Sequence, residues 1–197
     1  MKVLDADFYD RPVLVVAREL LGCTVEHAGA SGVIVETEAY HESEPACHAY
    51  IGVTARTRTL FGEPGRAYVY RSYGIHALFN AVCEPVGVGA AVLIRALAPL
   101  HGLEAMRARR GPEMSDEDLC SGPGKLTQAL GIELWANDSE LSGEGPVRVL
   151  APAHHPREQE VLRAPRVGIT RAAELRWRFC LANSPYVSRP RPRLRGG

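Results

Sequence analysis

Short apolar runs alternate with polar, turn-rich breaks along this chain, and the period inside each run separates strand from helix. Asp10-Arg11-Pro12 is a helix start, VLVVARELL the helix and Gly22 its stop. CTVEHA and VIVETEAY, separated by Gly-Ala-Ser-Gly, form a β-hairpin pattern. HESEPACHAYIGVTARTRTLFGEPG is loop-like. RAYVYRSYGIHALFNAVC then holds two strands with a turn near Ser72–Gly74, and VGAAVLIRAL is a further β-rich run. An amphipathic helix is expected from Pro99 to Arg110, closed by Gly111. Ser121-Gly-Pro caps the next helix, GKLTQAL, which Gly131 ends. Residues 133–160 are polar and turn-rich, with short strands at most, while RVGIT and WRFCLA look like late strands. RPRPRLRGG is too rich in proline and arginine to pack. With no repeat and no linker, the expectation is one α+β domain over residues 1–188. Its mixed, mostly antiparallel curved sheet is flanked by helices, and a flexible basic tail covers 189–197.

At 197 residues the chain is long enough for one full core. No run approaches the roughly 18 apolar residues of a membrane span, and acids occupy the place of a signal peptide's apolar stretch in MKVLDADFYDRP. A cytoplasmic protein without membrane partners is expected. Its five cysteines are scattered and lack any CxxC pair, which points to reduced, buried thiols.

The net charge of zero hides four blocks. Residues 1–50 and 111–160 are acidic, with three basic against nine acidic and three against ten. Residues 51–110 and 161–197 are basic, with eight against three and nine against one. If the basic blocks meet in space they form a face suited to a polyanion; otherwise they are separate solvated surfaces.

Candidate chemistry concentrates in VIVETEAYHESEPACHAY. Strand alternation puts Glu36, Glu38 and Tyr40 on one face and Val35, Thr37 and Ala39 on the other. A carboxylate on an apolar strand is either paired with a buried cation or set at the floor of a cleft. Two glutamates two residues apart suggest one of each kind. His41, Cys47 and His48 raise a zinc reading, but their spacing fits no compact ligand pattern, so a pocket wall is preferred and no metal or cofactor is expected. In RAYVYRSYG, Tyr68 and Tyr70 share one strand face, and Tyr73 stands beside Gly74 at the turn. Strand tyrosines are usually packing, but one at a hairpin tip invites a stacking partner.

Taken together and in order, VETEAY, the loop ending in His48, YVYRSYG, LIRAL-x-P, LCSGPGKLTQALGI, RVGI and NSPYVS resemble the alkyladenine (3-methyladenine) DNA glycosylase family, from about Leu14 to Ser188. The resemblance implies base-excision repair of double-stranded DNA by a monomer. The enzyme flips an alkylated or deaminated purine, such as 3-methyladenine, hypoxanthine or ethenoadenine, from the duplex and hydrolyses its N-glycosidic bond. By resemblance, Glu38 is the general base, Arg95 helps hold the attacking water and the carboxylate, and the Val167 backbone is the water's third contact. Tyr40, His48 and Tyr70 embrace the flipped base, Asn80 crowds the amine of guanine, and Tyr73, on a protruding hairpin, fills the gap in the duplex. The only lysines are Lys2 and Lys125, neither at a matching position, so a monofunctional, inverting hydrolase is implied. Departures from the family pattern are His76, where tyrosine occurs in vertebrate members, and Thr57, where asparagine is common.

Overall fold

In the computed structural model of the chain, which describes residues 1–72 and 74–192, eight strands join one sheet. They are β1 (Thr24–His27), β2 (Ala30–His41), β3 (Ala67–Ser72), β4 (His76–Val82), β5 (Ala90–His101), β6 (Arg148–Leu150), β7 (Val161–Ala164) and β8 (Arg178–Leu181). The order is β3-β4-β5-β2-β1-β6, with β8 paired to β2 and β7. Every one of these pairings is antiparallel. The helices are α1 (Ala6–Tyr9), α2 (Val13–Glu19), α3 (Leu103–Arg110), α4 (Asp116–Leu119) and α5 (Pro123–Leu130). The α+β architecture expected from the pattern is the one found.

The long central strand β2 has β5 along one edge, and on the other β1 followed by β8. Its register slips between Ile34 and Glu36, and again between Glu36 and Thr37. A bulge shifts the phase of alternation by one residue, and this overturns one assignment. Ile34 and Ala39 enter the main core with Val16, Leu20, Phe79, Leu126 and Phe179. Val35 instead packs with Ala96, Cys180 and Val187. The bulge thus lets Ile34 stay in the helix-covered core while Glu36 and Glu38 serve a different, polar purpose.

Other boundaries differ from the sequence pattern as well. Pro99 does not open a helix: Gly32 pairs with Pro99 and Ser31 with His101, so β5 continues to His101. Only after Gly102, in the left-handed region at φ 75°, does α3 begin. RVGIT is not a strand, because the strand of that region, β7, ends at Ala164; the Val167 amide turns to a side chain instead of a ladder. A short helix, α4, is an addition to the expected elements; Ser115 caps it by accepting from Asp118 N–H. Residues 148–150 supply an edge strand. Just past Ser188, Arg178 donates to the Pro190 carbonyl at 3.0 Å and Arg191 to that of Val187 at 3.2 Å. No helix of the described residues is long and apolar enough to cross a membrane.

Two features place the edge of the site. Gly74 takes φ 72° in the turn between β3 and β4, where a side chain would be strained. A Cβ on Gly124 would stand 2.9 Å from His76 Cβ, so only glycine lets the first turn of α5 lie against the start of β4.

Candidate active site

One cavity of about 640 Å³ opens beside β2, β3, β4 and β5 and reaches the N-terminal turn of α5 and residues 167–169. Both glutamates of β2 are fully buried. Glu36 accepts from Arg178 at 2.6 Å, from Arg95 at 2.9 Å, and from the Ser188 amide and hydroxyl at 2.7 and 3.0 Å. A carboxylate with that many donors is a structural anchor: its charge is matched and its lone pairs are filled.

Glu38 has a lighter shell and borders the cavity. The Val167 amide donates to its Oε1 at 2.8 Å, the Tyr40 hydroxyl to its Oε2 at 2.9 Å, and Arg95 Nε stands 3.5 Å away. Burial pushes its pKa up, while Arg95, the Val167 amide and the Tyr40 hydroxyl pull it down. The net direction is upward, because burial outweighs these donors. A carboxylate with so light a shell at the border of a cavity can still accept a hydrogen bond from a water. The same contact raises the Tyr40 hydroxyl, through burial first and the Glu38 charge second, and so keeps it a donor.

The walls are aromatic. Tyr68 and Tyr70 stack at 5.3 Å between centroids, and His48 meets Tyr70 edge-on at 4.6 Å. His48 Nδ1 lies 3.1 Å from the Tyr68 hydroxyl, which fixes the ring's rotation. Burial, and then Arg56, lower the His48 pKa, so the ring is neutral at physiological pH. Asn80 donates its amide to the Tyr68 carbonyl at 3.0 Å, which sets which end of the amide is which. Such walls suit a flat heteroaromatic guest.

Behind Tyr40 lies a second buried ion pair. Arg166 donates to both oxygens of Glu44 at 2.6 and 2.9 Å and to the Ala39 carbonyl at 2.9 Å. Its guanidinium carbon is 4.5 Å from the centre of the Tyr40 ring and 5.4 Å from that of Trp177.

The basic blocks divide. Arg56 and Arg71 are exposed and reach the cavity mouth, where Lys125 also lies, its amine held by Ser121 Oγ at 3.3 Å and Asp118 at 3.5 Å. Others are engaged by neighbouring groups of the chain. Arg107 holds Asp116, Arg109 the Ala129 carbonyl, and Arg110 the Leu119 carbonyl and Gln128. Arg95, Arg166 and Arg178 are buried.

Of the residues singled out in the sequence, Glu38, Tyr40, His48, Tyr70, Asn80, Arg95 and Val167 all border this one cavity. Tyr73 lies outside the described residues. His76 borders the cavity mouth, whereas Thr57 is buried and closes a turn, accepting from Thr54 N–H and donating to the Gly52 carbonyl. His41 lies away from the cavity, between Ser43 and Glu84. Among the described residues no group of three His, Cys, Asp or Glu side chains is arranged to hold a metal. Sequence reasoning gave no role to Arg166, Glu44, Arg178 or Ser188. Arg166 and Ser188 stand inside the motifs RVGI and NSPYVS, but nothing in their local pattern shows burial.

The chain matches the family model of methylpurine-DNA glycosylase over residues 7–185. It is 52% identical over 186 residues to a protein of Rhodopseudomonas palustris, covering 94% of this chain and 88% of that one. A protein of Granulibacter bethesdensis is 53% identical over 183 residues, covering 92% and 85%. One of Methanoculleus marisnigri is 49% identical over 191 residues, covering 94% and 98%. All three are provisionally named 3-methyladenine DNA glycosylase.

Proposed function

The chain belongs to the methylpurine-DNA glycosylase family and is a DNA glycosylase, and from that premise we propose how it acts and on what. Its substrate is double-stranded DNA carrying a damaged purine: 3-methyladenine-type bases first, and deaminated or etheno-adducted adenines that fit the same walls. The enzyme works as a monomer in the cytoplasm. The nucleotide is rotated out of the stack into the aromatic cavity, where it would lie among Tyr40, His48 and Tyr70. A water held by Glu38, Arg95 and the Val167 backbone attacks the anomeric carbon. Glu38 takes the water's proton, and the electron pair of the N-glycosidic bond leaves with the base. Carboxylate charge beside the sugar also stabilises the positive character that grows as the bond breaks. Attack from the face opposite the departing base inverts the anomeric carbon.

The observation that carries this reading is Glu38: a fully buried carboxylate at the border of an open cavity, held by one amide and one hydroxyl. In this reading no lysine bonds to the sugar: Lys125 stands at the cavity mouth, its amine 3.3 Å from Ser121 Oγ and 3.5 Å from Asp118. The Val167 amide reaches Glu38 directly, so this residue aligns the base as well as bordering the water. A duplex with one 7-methylguanine or 3-methyladenine decides the matter. Release of the free base, leaving an intact strand that breaks only on alkaline heating, is expected; no release, or a strand cut by the enzyme itself, contradicts the proposal.

A further inference from the structure

We propose that the buried Arg166–Glu44 ion pair behind Tyr40 sets how the cavity discriminates cationic from neutral damaged bases. The inference rests on the glycosylase reading above and adds a specificity determinant to it. Tyr40 borders the cavity and Arg166 does not, so the guanidinium sits on the protein side of the ring, 4.5 Å from its centre. An aromatic face attracts a cation through its electron-rich quadrupole. A second cation already on one face weakens that attraction at the other, by polarising the ring and by direct repulsion across a dry interior.

Glu44 decides how much of that repulsion is felt. Its two oxygens clamp the guanidinium at 2.6 and 2.9 Å, and its side chain and that of Arg166 are 5% and 0% exposed, so little solvent screens them. Glu44 therefore cancels part of the charge that Tyr40 meets, and the remainder still opposes a cation in the cavity. Pairing Arg166 with Glu44 lets Tyr40 bind an alkylated, positively charged purine without excluding a neutral deaminated one. The geometry also reaches Glu38, because Arg166 directly precedes Val167, whose amide is bonded to that carboxylate.

The two charges can be altered separately. Glu44→Gln leaves the cation uncovered behind the ring, while Arg166→Met with Glu44→Gln removes both charges and leaves a packed neutral pair. Single-turnover release rates are measured on duplexes carrying 7-methylguanine, at mildly acid pH where it is cationic, and hypoxanthine, which is neutral. Damage to the fold or to Glu38 lowers both rates; only the proposed effect moves their ratio. Relative to wild type, Glu44→Gln should lower the cationic-to-neutral ratio about three- to tenfold, and the double variant should raise it severalfold. If Glu44→Gln does not fold, the double variant decides alone. A ratio unchanged in the double variant, or shifted the same way in both, overturns the proposal while leaving the glycosylase reading in place. A wild type that releases neither base overturns that reading and the inference with it.

Discussion

Glu36 and Glu38 lie two positions apart on β2, both fully buried, and compete for one arginine: Arg95 Nε is 2.9 Å from Glu36 and 3.5 Å from Glu38. The competition is unequal for a reason visible in the sheet. Arg95 falls at the slip where Thr37 pairs with Ile94 and Glu36 with Ala96, so it is the extra residue of a bulge, and bulges re-aim side chains. Glu36 gains a further arginine and both donors of Ser188, whereas Glu38 is left with one amide, one hydroxyl and the cavity.

Glu36→Gln should therefore act on stability. It strips the charge partner from Arg95 and Arg178 and unties Ser188, and breaking a buried pair in this way costs about 3–5 kcal/mol. Urea denaturation should show that loss, with most of the rate per folded molecule retained. A normally stable but inactive Glu36→Gln protein would contradict the division.

The pH dependence follows from the upward shift of Glu38. Base release needs the ionised carboxylate, so its rate should fall as pH drops through the raised value. Stability runs the other way. A carboxyl whose folded pKa lies above its ordinary 4.5 contributes stability that is fully present below 4.5 and lost as pH rises through the raised value. The melting temperature of wild type relative to Glu38→Gln should thus be highest at acid pH and decline toward neutrality. A difference that grows with pH would mean the shift is downward.

Arginines at the mouth and arginines in the fold should part company in salt titrations of DNA binding. Replacing Arg56 or Arg71 should weaken binding and reduce the salt slope by about 1 each. Replacing Arg107 should leave the slope unchanged, because its guanidinium is already on Asp116. Equal effects at all three positions would disprove this partition.

These contrasts also mark what could be read from the sequence. The hairpins, the central strands and α5 were legible because each is an apolar run bounded by glycine or proline, and the cavity residues because they fall in motifs of specific order. The bulge at Val35 was not, since strict alternation assumes an unbroken register. Pro99 suggested a helix start, yet the pairing of Gly32 with Pro99 carries β5 past it. RVGI has the composition of a strand, but its Val167 amide is used by a side chain 129 positions away. Charge blocks count arginines without showing that Arg95, Arg166 and Arg178 are buried.

Tyr73 is the residue that should fill the gap left by the flipped nucleotide. Its neighbours suit that role, since Gly74 makes the turn at φ 72° and Ile75 is 77% exposed. Stacking is worth roughly 1–3 kcal/mol per base, so Tyr73→Ala should reduce 2-aminopurine fluorescence beside a well-paired lesion, and Tyr73→Phe should hardly change it. An unchanged signal in Tyr73→Ala would move the wedge elsewhere, to His76 first.

The central claim is that Glu38 activates the water, and single-turnover base release by Glu38→Gln on a 7-methylguanine duplex tests it most directly. Gln fits the same space and cannot take a proton, so the rate should fall about 10²–10⁴-fold while affinity for the lesion duplex stays near that of wild type. A Glu38→Gln enzyme that releases the base within a few-fold of the wild-type rate would contradict the account.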